Sequence, residues 1–567
     1  MPSQSAVVFT NKARCRDCYR CLRACPVKAI RMKDGQAYVV EDRCIACGTC
    51  VRECPQGAKT IRVDVEKVRD LLAEGGAVAA SVAPSFAASF TSAQRKRLPS
   101  ALRKLGFTFI AETAVGAFHV ARKTAQLAGE TSEPTICTAC PAVVNLVQRY
   151  MPQLTDSLAR VASPMVAHAR SLKKRLGAGS RVVFIGPCAA KKLEAQQVAN
   201  PAVDCVLTFE ELKDWLQKEH IDLLELEESS FDETPGPDSR YFPLSGGLAK
   251  TAQLATDLLD DQTMSVHGAH DVMQALETIA IDPKRMLIDP LFCPQGCING
   301  PAIACETTTF QRRSALLEYV RTRNLGKGEV PAQECDISMR YKPMPIAENI
   351  EITEEKIREV LVRTGKSAPQ DQLNCGVCGY DNCRQKAIAV ILGMAEEEMC
   401  MPTMRRLAEQ RGDRIIESSP NGIVILNEKL EILSMNPTFR RMFLCTDALF
   451  GKSIHHLMDP EPFEQLVAGN SRLLRETVSH ESYGLICREI YYRLEHDNQY
   501  VGLFTDITDS QTSQKKFDDL RAGAMNQARQ LLDHQMNLAQ SLTLQLGEST
   551  AQCEALARRL MELAQEK

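Results

Sequence analysis

The chain has no surplus of either charge. Its 68 basic and 71 acidic residues leave a formal charge of −3 over 567 residues, which argues against bulk binding of nucleic acid. Long apolar runs are missing too: no segment reads as able to span a bilayer, and no secretory apolar region follows Met1. Tryptophan occurs once and aromatics make up 5%, a scarcity that singles out no class. Cysteine, in contrast, is plentiful, with 23 residues. Disulfide frameworks on that scale belong to small secreted proteins, so the expectation is a cytoplasmic protein with reduced thiols and metal clusters. The length predicts several domains, about three or four at the usual domain size.

Eight of the cysteines lie between Cys15 and Pro55, where the spacing C-x2-C-x2-C-x3-C-P occurs twice: Cys15, Cys18, Cys21, Cys25-Pro26, then Cys44, Cys47, Cys50, Cys54-Pro55. Thiolates at i, i+3 and i+6 curl round one corner of an iron-sulfur cube, and the fourth cysteine of each run goes to the other cluster. That crossing assigns Cys15, Cys18, Cys21 and Cys54 to one 4Fe–4S cluster, and Cys44, Cys47, Cys50 and Cys25 to a second. Zinc sites or disulfides are the alternatives, but a zinc knuckle needs neither the interleaved fourth ligand nor its proline. The segment resembles bacterial two-cluster ferredoxins, and residues 1–62 are expected to form such an α+β domain.

Further along, Val63 to Glu74 has a helical rhythm that stops at Gly75-Gly76, and Ala77 to Pro84 reads as a buried strand. Apolar runs such as Arg181 to Ile185 then alternate with helical segments such as Pro141 to Tyr150 and Phe209 to Lys218. The alternation predicts an α/β domain, taken as residues 63–345, with sheets covered by helices. The acidic segment Glu225 to Arg240 reads as a surface loop. Within this region Cys140, Cys188, Cys293 and Cys297 stand in contexts rich in Pro or Gly, with Lys191 three residues after Cys188. Glycine lets backbone approach a cofactor closely, and lysine can donate to its anionic ligands.

Three segments, Thr138-Ala-Cys-Pro141, Gly186-Pro-Cys-Ala-Ala-Lys-Lys-Leu-Glu194 and Phe292-Cys-Pro-Gln-Gly-Cys-Ile-Asn-Gly300, resemble the three H-cluster signatures of [FeFe] hydrogenases, in the family's order. Ser163-Pro-Met165 and Ser245-Gly-Gly247 also fit that pattern. The resemblance implies that Cys140, Cys188, Cys293 and Cys297 hold a 4Fe–4S cubane, with Cys297 bridging to a di-iron subcluster that carries CO, cyanide and an azadithiolate. It also implies that Lys191 hydrogen-bonds a cyanide, and that Cys297 and Lys191 are catalytic. Three departures stand beside the match. Catalytic members have a proton-relaying cysteine where this chain has Ala139, and alanine cannot titrate. Cys137, two residues back, is the nearest replacement. Methionine is usual at Gly186, and the third motif continues Gly300-Pro301 in place of a glycine run.

Residues 350–403 carry Cys375-Gly-x-Cys378-Gly-x3-Cys383 and then Cys400-Met-Pro402, a spacing for one further 4Fe–4S site, with zinc as the alternative. They resemble the small four-cysteine iron-sulfur domain found beside corrinoid proteins and in some hydrogenase-like sensors, and are expected on an outgoing electron path. Residues 404–508 change to an α+β pattern: Ile415 to Leu426 gives helix, turn and strand, Glu431 to Phe439 a second strand and helix start, and Val501 to Thr508 a closing strand. This resembles a PAS domain, in which Cys445, His455 and His456 are candidate ligands. Residues 509–567 show apolar positions at steps of three and four, a coiled-coil-like seam broken at Gly547. His534 there lies outside any histidine-kinase context, and no kinase, phosphatase or cyclase signature follows.

The expectation is therefore a multidomain α/β, PAS-linked sensor of the [FeFe]-hydrogenase type. It would take H2 and protons, exchange electrons with a redox partner such as ferredoxin, and receive its di-iron subcluster from maturation proteins. Its output would go to a separate phosphatase or kinase, with a homodimer through the PAS domain and coil, and with neither nucleic acid nor membrane as partner. A ferredoxin-linked catalytic hydrogenase and a cubane-only iron-sulfur scaffold or relay are the alternatives.

Overall fold

The computed structural model describes residues 6–197, 202–255, 262–303, 307–323, 335–347, 350–469, 472–494 and 498–508, with isolated positions 525, 530 and 535. Apart from those three positions, the expected coiled coil of 509–567 lies outside the described residues. Two compact units divide the chain, Met1–Met399 and Cys400–Lys567. Among the described residues no helix is long and apolar enough to cross a membrane.

The first unit opens with a twofold-repeated element. Strand β1 (Val8–Thr10), the helix Arg20–Ala24 and β2 (Ile30–Lys33) are followed by β3 (Gln36–Val39), the helix Thr49–Glu53 and β4 (Lys59–Ile61). β1 pairs antiparallel with β4, and β2 with β3. Each short helix ends at the fourth cysteine of its run, Cys25 or Cys54, so the prolines that follow stand where no further helical turn is wanted. Tyr19 and Gly48 cap the two helices in the left-handed conformation.

The α/β region has two parallel sheets. One has the order β6-β5-β8-β9, from β5 (Val78–Val82), β6 (Phe109–Glu112), β8 (Arg181–Gly186) and β9 (Cys205–Thr208). The other has the order β10-β11-β7, from β7 (Thr135–Ile136), β10 (Thr263–His267) and β11 (Leu287–Leu291). β5 and β11 are central in their sheets and buried along their whole length, as strands covered on both faces are, although Ser81 and Asp289 lie within them. The helices Pro141–Tyr150 and Phe209–Lys218 lie where the periodicity put them. The acidic segment before Arg240 is more firmly held than a free loop: Asp232 accepts from the Ile110 amide at 2.7 Å, and Arg240 forks onto buried Glu112 at 2.7 Å. Lys192, fully buried, bonds Asp64 at 2.7 Å and Glu211 at 2.9 Å, tying the segment after β4 to the sheet that contains β9.

The four-cysteine region of this unit contains the helices Glu354–Arg363 and Cys383–Ile391. It packs on the ferredoxin-like segment. Met32 donates its amide to Met394 O at 2.9 Å, Asp34 to Glu396 Oε1 at 2.8 Å, and Arg23 Nη1 to Val377 O at 3.1 Å.

The second unit begins with the helix Met401–Ser418 and continues as a five-stranded antiparallel sheet, β13-β12-β16-β15-β14. Its strands are β12 (Gly422–Leu426), β13 (Ile432–Met435), β14 (Leu473–His480), β15 (Leu485–Leu494) and β16 (Gln499–Asp506). Phe439, Phe443, Phe463 and Phe504 fill the core against the helices Pro437–Met442 and Glu461–Val467. Asn436 fixes the turn into the first of these helices. Its Oδ1 accepts from the Ile423 and Phe439 amides, and its Nδ2 donates to Ile416 and Asn421 carbonyls.

Candidate iron-sulfur centres

The ferredoxin-like segment gathers its thiols in the crossed arrangement. Cys15, Cys18, Cys21 and Cys54 line one small cavity, together with Met32, Ala37 and Lys59. Cys44, Cys47, Cys50 and Cys25 form the second set. Burial first, then mutual repulsion within the set, pushes Cys25 up to about 12 and Cys50 well above the ordinary thiol value. The repeat extends to backbone donors: Ala29 gives its amide to Cys25 Sγ and Ala58 gives its amide to Cys54 Sγ, both at 3.3 Å. Thiols crowded in this way favour the protonated state. A bound cationic centre reverses that preference, and amides aimed at sulfur then stabilise the thiolate, so the donor set fits iron-sulfur clusters.

The other four thiols come from strands far apart in sequence. Cys140 follows β7 and caps the helix Pro141–Tyr150, Cys188 follows β8, and Cys293 and Cys297 follow β11. All stand beyond the carboxyl ends of parallel strands, where open α/β sheets leave a crevice. Burial and then repulsion from Cys188, Cys297 and Cys140 raise Cys293 well above the ordinary value, and Cys188 is pushed up to about 11 by burial and then by Cys140. Each keeps some accessible surface although protein encloses it on every side, as expected of side chains lining an internal space. Glycines bring the walls close. A Cβ on Gly296, whose φ is +96°, would sit 2.2 Å from Pro243 O, and one on Gly300 would sit 2.5 Å from Pro187 O. At Gly186 a Cβ would meet the Phe184 ring at 2.5 Å, so Phe184 occupies the volume a methionine there would need.

Lys191, buried beside these thiols, donates to Ala139 O at 3.3 Å and Glu194 Oε2 at 2.8 Å. Two of its three donors are thereby committed. Ala139 is itself buried, and so is Cys137, whose thiol is pushed well up by burial and then by Asp289. Asp289 is the residue that sequence reasoning passed over. It is fully enclosed, burial raises it to about 7 against the lowering amides of Leu248 and Gly246, and its Oδ2 has no hydrogen-bond partner among the described residues. Its signal was present: an acid in the middle of the apolar run Leu287-Ile-Asp-Pro-Leu-Phe292, four residues before a motif cysteine.

The two sites share a seam. A Cβ on Gly48, beside Cys47, would lie 2.4 Å from Pro301 Cβ, and Arg52 Nη1 donates to Asn299 O at 2.9 Å. Cys47 and Cys140 are close enough to repel. On the other flank, Gly379 abuts Leu22, and Tyr19 and Tyr380 lie near Cys378. The four-cysteine region is therefore reached through the ferredoxin-like segment, although in sequence it follows the α/β region. Of its cysteines, Cys375 is exposed, Cys378 and Cys383 are half-buried, and Cys400 caps the helix that opens the second unit. In the second unit, Cys445 lies 3.8 Å from Met435 Sδ, while His455 and His456 are exposed. The three do not form a joint site.

The fold and its thiol sets define a multidomain iron-sulfur protein of [FeFe]-hydrogenase-like architecture. Residues 76–301 match the family described as the iron only hydrogenase large subunit, C-terminal domain, and residues 7–55 match the 4Fe–4S dicluster domain. Residues 371–402 match an Fe–S cluster family and 410–507 the PAS fold. The chain is thus an [FeFe]-hydrogenase-like protein with a PAS domain. It is 25% identical over 342 residues to the NADP-reducing hydrogenase subunit HndD of Solidesulfovibrio fructosivorans, covering 50% of this chain and 55% of that one. The chain therefore spans about half the length of that curated relative. An [FeFe]-hydrogenase of Chlamydomonas reinhardtii aligns at 17% identity and TM-score 0.38, over 50% of this chain and all of that one. The PAS domain of an HTR-like protein from Haloarcula marismortui aligns at 19% identity and TM-score 0.16, over 18% of this chain and 99% of that one.

Proposed function

We propose that the chain is a sensory [FeFe]-hydrogenase-like protein that binds H2, splits it slowly (2H+ + 2e− = H2), and passes the redox change to its PAS domain and on to a separate effector. The observation that carries this reading is Ala139. Cys140, Cys188, Cys293 and Cys297 would hold an H-cluster, with Cys297 as the bridge to a di-iron part. Such a group supplies an electrophilic metal site and a neighbouring base for heterolysis of H2.

The residues around it do the rest. Lys191 keeps one donor for an anionic ligand. Enclosure of the four thiols keeps water away from the reacting centre. Ala139 can neither take nor give a proton, so the ordinary exit for protons is absent and turnover is slow. Among the titratable groups near the thiols, burial raises Asp289 to about 7 and pushes Cys137 well above the ordinary thiol value.

The ferredoxin thiols would hold two 4Fe–4S clusters, and Cys375, Cys378, Cys383 and Cys400 one more. Their order, from Cys140 past Cys47 and then past Tyr19 to Cys378, is the order an electron relay needs. Cys400 stands one residue before the helix that enters the PAS unit. Partners on this reading are a ferredoxin-like donor, the maturation proteins that build the di-iron part, and a phosphatase or kinase. The test is H2 evolution by the matured protein with a reduced low-potential donor. Feeble turnover is expected, and rates like those of ferredoxin-linked hydrogenases would contradict the proposal.

A further inference from the structure

Among the described residues of the PAS unit, one buried polar cluster brings together three potential metal donors. On adjacent strands β14 and β15, His480, Cys487 and Glu489 bring one donor atom each to within 4.8 Å of one another. The ladder explains the convergence. Val478 opposes Cys487 and Glu476 opposes Glu489, so His480 shares a sheet face with Cys487, Glu489 and Tyr491. Cys487 is 0% and Glu489 1% exposed. His480 Nε2 lies 2.5 Å from Glu489 Oε1, and the Tyr491 hydroxyl donates to the other carboxylate oxygen. The His480 ring packs edge-on against Phe443, with centroids 5.1 Å apart.

A histidine–carboxylate ion pair would account for His480 and Glu489 but not for the thiol beside them. The three side chains offer a sulfur, a nitrogen and an oxygen donor on one dry face, and the thiol has no part in the ion pair. We propose that His480, Cys487 and Glu489 form a zinc site inside the PAS unit. One thiolate and one carboxylate neutralise a divalent cation, so the occupied site is neutral within the core, and neutral imidazole completes three protein ligands. Mixed S, N and O donors suit zinc, whose bond lengths of about 2.0–2.3 Å place tetrahedral ligand atoms roughly 3.3 Å or more apart. His480 and Glu489 must therefore open by under about 1 Å from their hydrogen-bonded distance, which a small rotation of the ring provides. Tyr491 holds the carboxylate from behind, as outer-sphere partners of metal ligands do. The fourth position is left to water or an exogenous ligand, the pattern of reactive rather than purely structural zinc. This site is independent of the hydrogen-binding reading.

The test uses the full chain, reconstituted anaerobically with iron and sulfide, exposed to zinc chloride and desalted. Metal is then counted by mass spectrometry for the unaltered protein, H480Q and C487S. The expected result is one zinc retained per chain in the unaltered protein, lost in both variants while iron stays constant. Equal zinc in all three, or none in the unaltered protein, would overturn the site. Zinc-edge X-ray absorption on the unaltered protein needs no variant: one sulfur with nitrogen or oxygen neighbours is expected, and a shell of four sulfurs or of none refutes it.

Discussion

The ferredoxin-like segment and the α/β region both gather thiols, but by different means. The first takes eight cysteines from 41 consecutive positions, 15–55, and shapes them with two short helices and a repeated amide-to-sulfur bond. The second collects Cys140, Cys188, Cys293 and Cys297 from the ends of strands in two separate sheets. A site built from local spacing depends on a few turns of chain. One assembled from distant strand ends depends on the whole domain, and in return its surroundings can be altered one residue at a time. The departures at Ala139, Gly186 and Pro301 all fall round the second site.

The sharpest way to separate the two regions is Cys188→Ala. It should abolish any infrared signal of CO and cyanide in the matured protein while the ferredoxin clusters keep their electron paramagnetic resonance. Loss of both signals together would mean that the regions are not independently assembled.

Ala139→Cys should act only on the assembled site. Restoring a titratable group next to Cys140 is expected to raise H2 evolution by about 10²-fold or more, the usual contribution of a positioned proton donor. An unchanged rate would place the limitation elsewhere.

Asp289→Asn probes the burial that accompanies long-range assembly. The native state raises this carboxyl from 3.8 to about 7, so it binds a proton more tightly than the unfolded chain. Stability from this group therefore falls as pH rises from about 4 to about 7, and the penalty is complete above that. The variant should gain on the unaltered protein at pH 8 by up to about 4 kcal/mol, with the difference vanishing below pH 4, as chemical denaturation would measure.

Arg52→Ala tests the seam between the regions. Losing the bond to Asn299 O should cost about 1 kcal/mol in the same assay. A loss several times larger would make the seam part of the folding core of both regions.

Legibility followed the same division. The doubled C-x2-C-x2-C-x3-C-P spacing determines which thiols meet, because three of each set sit within seven consecutive residues. Single helices and strands of the α/β region, such as Pro141–Tyr150 and β8, were equally plain in their periodicity. What brings Cys188 to Cys293 is strand order, and no local pattern encodes that; the motif resemblance supplied it. The packing of the four-cysteine region on the ferredoxin-like segment was hidden for the same reason, since its contacts run between residues more than 350 positions apart. In the PAS unit, sequence reading fixed on Cys445, His455 and His456, whereas the polar cluster belongs to β14 and β15. Cys487 and Glu489 alternate there with outward-facing residues, and only the ladder register shows that His480 joins them.

On the proposed function, the assembled site holds a hydrogen-responsive centre that turns over slowly. Fourier-transform infrared spectroscopy of the anaerobically matured protein, recorded before and after H2, tests it most directly. CO and cyanide bands that shift under H2 are expected; bands that ignore H2, or no bands at all, would contradict a hydrogen-responsive centre.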